Sequence, residues 1–186
     1  MTDVASPSGP APPRVRLLAR IVRLTPIAAG AAAGMIVVGV LGIVGGAIDH
    51  RVIRDQLAPQ KIVFPASRAQ GLFPDLQQYA GQQVLSAGQA KAYADRYIAR
   101  HLEEIGHGQT YSQVSARYLK DPKNAQLAQL RATLFQGETL RGLLLNAWGW
   151  GTFGSIVLAA GIVLLVVGSL LFLLPVLNWL LNERRA

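Results

Sequence analysis

LTPIAAGAAAGMIVVGVLGIVGGAI, residues 24–48, and GLLLNAWGWGTFGSIVLAAGIVLLVVGSLLFLLPVLNWLLN, residues 142–182, carry no charged side chain. Each exceeds the ~20 apolar residues an α-helix needs to cross a ~30 Å hydrocarbon core. Arg23 and Asp49 bound the first run, Arg141 and Glu183 the second, and the sequence between the runs is mixed and polar-rich. Only structures that satisfy their own backbone hydrogen bonds survive in lipid, and for two isolated runs that means helices. The pattern predicts an all-α membrane protein, a two-helix transmembrane hairpin with a helical extracytoplasmic domain. The expected organisation is a disordered Pro-rich tail and basic juxtamembrane segment (1–25), transmembrane helix 1 (26–48), the mostly helical extracytoplasmic domain (49–150), transmembrane helix 2 (151–175) and a short basic tail (176–186).

Composition agrees with a chain that spends much of its length in lipid. Hydrophobic residues make up 51% and charged residues 15%, against about 25% charged in soluble domains. The net charge of +8 is placed for lipid, not for nucleic acid. Arg14, Arg16, Arg20 and Arg23 crowd before the first run, and Arg184 and Arg185 follow the second. Basic clusters flanking spans meet anionic headgroups and set topology. Arg16, Arg20 and Arg23 recur at i, i+4 and i+7, with Leu17, Leu18, Ile21 and Val22 on much of the remaining surface, which reads as a short amphipathic helix on the headgroups. The tail before it, TDVASPSGPAPP at residues 2–13, is too small and Pro-rich to form a core. No cysteine is present, so disulfides, thiolate metal sites and cysteine nucleophiles are excluded.

The first run spans 25 residues, beyond the about 7–15 of a secretory h-region, and reads as a retained signal anchor. Six arginines flank the spans at the termini, against Arg51, Arg54, Arg131 and Arg141 at the far side. A loop longer than about 60 residues contributes little to orientation. Both termini are therefore expected in the cytoplasm of a plasma-membrane protein. Trp148, Trp150 and Phe153 near one end of the second run and Trp179 near the other form an aromatic belt.

Both runs contain a seam of small residues at seven-residue spacing: Ala32, Gly39 and Gly46 in the first, and Ala147, Gly154, Gly161 and Gly168 in the second. Such a period keeps one face toward a partner helix, and small side chains let the backbones approach. The economical partner for each span is the other; self-association is the competing reading, because the first helix has more small residues than one neighbour needs. Neither span holds an ionisable residue, so nothing marks an ion path.

Between the runs, Gln56–Ala66 should be extended, with Ile62 and Phe64 alternating, and 67–85 loop-rich with a helical turn at 76–80. Ser86 and Gln89 resemble a capping box opening a helix to Ile105, with Gly106 as its stop and Ala94, Ile98, Leu102 and Ile105 on one face. Thr110 caps a shorter helix, 111–119, ended at Asp121-Pro122. From Lys123 no proline intervenes before Pro175, so the second span should rise out of the domain as one helix.

Chemistry-bearing constellations are sparse. His101, Glu104 and His107 form the best metal candidate, since positions i and i+3 share a helix face and His107 can fold back past Gly106. Against it stands an ordinary polar helix end, where a histidine also meets the dipole. Structural zinc wants four protein ligands and catalytic zinc three plus water. No GxSxG and no P-loop ending is present. Glu138 and Arg141 are spaced for a membrane-proximal ion pair.

The strings DQLAPQKI (55–62), YAGQQV (79–84), QAKAYADRYIARHLEEIGHGQTY (89–111) and LRATLF (130–135) resemble a group of actinobacterial two-span membrane proteins of unknown function. The similarity covers about residues 55–154. Some members of that group are described as aromatic ring-opening dioxygenases, chemistry that needs a facial set such as two histidines and a carboxylate; here only His101, Glu104 and His107 offer one. The resemblance implies a plasma-membrane location and no activity. The expected function is that of a non-enzymatic accessory or scaffold protein whose domain binds another envelope component, with no cofactor. Its partners would be anionic lipid and an envelope protein or a second copy, not nucleic acid. The alternative is a metal- or ligand-binding envelope protein, possibly an enzyme, using His101, Glu104 and His107.

Overall fold

A computed structural model describes the backbone of residues 13–183 and the side chains of residues 27–173. Among the described residues it is helical, with no strand. The helices are α1 (Pro13–Leu57), α2 (Ala87–Ala92), a π-helical segment (Tyr93–Ile98), α3 (Ala99–Gly106), α4 (Tyr111–Lys120) and α5 (Ala125–Glu183). Short 3₁₀ turns occupy Ala58–Gln60, Arg68–Gln70 and Pro74–Tyr79. α1 and α5 contain apolar stretches long enough to cross a membrane, with mean hydropathy 2.4 and 3.0 in their most apolar windows. Only 11% of each window is buried, whereas the core helix of a soluble protein would be mostly covered. The sequence of the expected amphipathic segment is helical without a break into α1. The expected tail at 2–13, apart from Pro13, lies outside the described residues, as do Arg184 and Arg185 and the side chains of Arg16, Arg20, Arg23 and Trp179.

The chain divides into two compact units, Met1–Ile43 with Ala159–Ala186, and Val44–Leu158. Both divisions fall inside the apolar runs. In the first unit α1 and α5 pass antiparallel at their glycines. A Cβ on Gly39 would lie 2.6 Å from the Leu165 amide nitrogen and 2.8 Å from the Gly161 carbonyl oxygen. A Cβ on Gly168 would meet the Ala32 carbonyl oxygen at 2.9 Å. At such approach only hydrogen fits, so these positions set the interhelical distance.

The second unit is built around Phe64, Leu76, Val84, Val114 and Leu134, all fully buried, each contributing roughly 1.5–3 kcal/mol by leaving water. Phe64 stacks on Tyr79 (centroids 5.0 Å apart) and meets Tyr93 edge-on at 4.9 Å. The expected extended segment is reduced to one antiparallel bridge, Val63 with Gln83, flanked by Phe64 N donating to Gln82 O (2.9 Å) and Val84 N to Ile62 O (2.8 Å).

Caps place the shorter helices. The Ser86 hydroxyl accepts from Gln89 N, and Thr110 with Gln113 forms a reciprocal capping box; such caps contribute about 1 kcal/mol each. Asn124 Oδ1 accepts from the amides of Gln126 and Leu127, opening α5. Two expectations for the helix starting at Ser86 are corrected. Ile105 is 44% exposed, and Gly106 is buried inside α3. Besides Ala92, the buried positions are Ala90, Ala94, Ile98, Leu102 and Gly106, which recur at four-residue spacing. On a straight helix that spacing drifts about 40° per step. The wider π turn at Tyr93–Ile98 absorbs much of the drift, so Leu102 and Gly106 still face α5. Gly106 packs against Leu134, whose Cδ2 lies 3.4 Å from a Cβ position, an ordinary contact distance. The stop is His107 instead, left-handed at φ 51°, with its amide donating to Glu104 O and that of Gly108 to Glu103 O, a Schellman closure.

Candidate functional site

The metal candidate does not assemble. The His101 ring lies between Tyr97 and Phe73, with centroids 4.4 and 5.0 Å away, and its Nδ1 is 3.0 Å from Tyr97 O. Tyr93, Tyr97 and His101 thus continue the aromatic core along one helix face. His107 and Glu104 are both exposed. Among the described residues no three His, Asp or Glu side chains converge as metal ligands.

Two charged clusters lie at the surface of the second unit. Asp75 receives Arg96 and Arg100 at once, at 2.7 Å each, and Arg96 also donates to Asp75 O. Hydrogen bonds from Arg100 and then Arg96 hold the Asp75 carboxyl well below the usual carboxylate range. The i, i+4 arginines were visible in the sequence; their shared acceptor, 21 and 25 positions away, was not. In the other cluster Asp95 pairs with Lys91 (2.7 Å) and Arg141 (3.3 Å), and Arg141 also pairs with Glu138 at 3.3 Å. The Lys91 and then Arg141 bonds lower the Asp95 pKa against opposing desolvation. Lys91 Nζ additionally sits 4.1 Å over Trp148. Desolvation, then the neighbouring Tyr97, pushes the Tyr93 pKa up to about 12, so its hydroxyl stays protonated in the core.

The remaining seam positions lie in the second unit. A Cβ on Gly46 would fall 2.6 Å from the Gly154 carbonyl oxygen. Gly154 in turn is covered by the Asp49 carboxylate, which would collide with any side chain there. Asp49 Oδ2 is buried there without a hydrogen-bond partner. Beside it, His50 Nε2 is 3.3 Å from Ser155 Oγ.

Asp49 also lines a groove of about 800 Å³ between the end of α1 and the middle of α5. Ile53, Leu57 and Leu144 are buried in its floor, while Leu143 (63% exposed) and Trp150 (59%) stand at its rim. The turn at Pro59–Ile62, where Lys61 is left-handed at φ 51°, carries the chain across one end. Its ionisable lining side chains are Asp49 and Asp55; no Lys, Arg or His lines it. The sequence carried a signal for this groove. Leu140, Leu143, Leu144, Ala147 and Trp150 follow helical spacing, as do Asp49, Ile53, Gln56 and Gln60; that the two faces oppose each other is tertiary information. A smaller cleft of about 290 Å³ lies between α4 and α5 at Tyr111, Arg131 and Phe135.

Comparison of the chain with known protein families, with curated proteins and with solved structures returns no match.

Proposed function

We propose that the chain is a non-enzymatic integral membrane protein, anchored by α1 and α5 as a hairpin with both termini in the cytoplasm. Its middle segment would form an extracytoplasmic domain that binds another envelope protein. The lengths and apolarity of α1 and α5 support the anchor, as does the resemblance to two-span plasma-membrane proteins.

One observation carries the binding role. Phe135 is 55% exposed on α5, its ring 5.5 Å from Tyr111, in the cleft that also holds Arg131. Tyr, Phe and Arg are the types enriched where protein partners dock, and a half-exposed aromatic has no packing role in a single chain that a smaller residue could not fill. Ser115, then Arg131, lower the Tyr111 pKa, and Arg131 Nε donates to Ser115 Oγ at 3.1 Å at the edge of the cleft.

A photo-reactive phenylalanine analogue at position 135, with a second at Glu103 as an exposed polar control, tests this in native membranes. The reading expects a protein adduct from position 135 and none from 103, and loss of the co-purifying protein in Phe135→Asp. Adducts to a second copy of this chain would assign the cleft to self-association. Lipid adducts alone would overturn the reading.

A further inference from the structure

The groove beside Asp49 combines features that a protein-docking role leaves unused. It begins one residue past the apolar run that ends at Ile48, and Trp150 at its rim belongs to the tryptophan-rich end of the second run. If α1 and α5 cross the bilayer, that end lies at headgroup depth, where tryptophan is favoured. The groove therefore opens where lipid molecules already stand.

Its size and chemistry narrow the occupant further. A volume of about 800 Å³ is in the range of small-molecule sites, roughly 300–1,000 Å³. The walls are leucine, isoleucine and tryptophan, suited to an alkyl chain. The polar edge is Asp49, Asp55, Gln56, Gln60 and Asn146. With two carboxylates and no basic lining residue, it repels phosphate and carboxylate headgroups and accepts donors.

The geometry points to a binding site for a single membrane amphiphile with a cationic, amine-bearing headgroup, drawn from the leaflet bordering the second unit. The alkyl chain lies along Leu140, Leu143 and Leu144 beside Trp150. The ammonium group donates to the Asp49 and Asp55 carboxylates, which strengthens each bond over a neutral one. This inference rests on the membrane anchoring proposed above but not on a protein partner at Phe135.

The test uses the full chain with Trp148→Phe and Trp179→Phe, so that Trp150 alone reports. In nonionic micelles it is titrated with a dibrominated long-chain alkylamine, and separately with the dibrominated fatty acid of equal length. The expected result is saturable quenching by the amine at a concentration roughly tenfold below that of the acid. Asp49→Asn with Asp55→Asn should erase that preference. Leu143→Trp read by competition, or Leu143→Glu by direct quenching, should weaken amine binding without disturbing the core, because Leu143 is exposed. Non-saturable quenching, equal for amine and acid and unchanged by the Asn substitutions, would overturn the site as plain micelle partitioning. In nanodiscs of brominated phosphatidylcholine, Trp150 should also be quenched. Absence of that quenching would overturn the membrane source and the anchoring together, whereas its presence without amine selectivity would overturn the ligand alone.

Discussion

Asp75 is the residue on which the loop-rich part of the second unit depends. It ties the 3₁₀ turn at Pro74–Tyr79 to the helix face carrying Arg96 and Arg100. Its carboxyl is held below the ordinary aspartate value, so the sign of the linkage is fixed. The stabilisation is fully present above pH 3.8 and is lost only as pH falls through the lower folded-state value. Thermal midpoints measured from pH 7 downward should therefore be insensitive to this group until the acid range, then fall. Asp75→Asn should lower the midpoint at neutral pH and flatten the acid decline. An acid decline unchanged in Asp75→Asn would show that other carboxylates drive it. At this scale the sequence was only partly legible. Gly106 was readable as special, but as a helix stop; its burial against Leu134 depends on a residue brought close only by folding.

Among the elements, α1 and α5 are paired by the absence of side chains. Between helices in lipid no hydrophobic force operates, and close backbone contact supplies much of the association. A Cβ on Gly161 would lie 2.8 Å from both Gly39 O and Ile43 N, rigid backbone atoms that cannot swing aside. Gly161→Leu should lower the thermal stability of the detergent-solubilised protein by about 1–3 kcal/mol, the usual cost of overpacking. Val163→Leu, at a position 60% exposed, should leave it nearly unchanged. Equal effects would mean that the seam does not govern the pairing. Gly30, Gly34 and Gly45 have open space where a side chain would stand, so the single chain does not use them. The seven-residue spacing was legible because it is a property of the sequence alone. The π turn was not, since four-residue spacing is compatible with several helix geometries until Leu134 and Gly137 define where the buried face must end.

For the whole molecule the decisive measurement is topology. A reporter active only after export should be active when fused at Gln109 and inactive when fused after Ala186, and an N-terminal tag should stay on the mature protein. The reverse reporter pattern would put the second unit in the cytoplasm and move the groove to the inner leaflet. Loss of the tag would identify α1 as a cleaved signal and leave one anchor.

The sequence by itself determined that the chain is helical with two long apolar helices, because uncharged runs of such length, helix caps at Ser86 and Thr110, and small residues every seven positions are local or periodic properties. Even the antiparallel facing of Gly39 and Gly161 follows from placing each near the middle of its run. Tertiary structure alone decided which distant charges meet: Asp75 with two arginines and Asp95 with Arg141, while Asp49 Oδ2 is buried without a partner. It also decided that His101 belongs to an aromatic stack, and that two unremarkable helix faces enclose a groove. The physical reason is that pairing across long sequence separation depends on the rotation of each helix, and one π turn or one glycine resets that rotation without leaving a regular trace in the sequence.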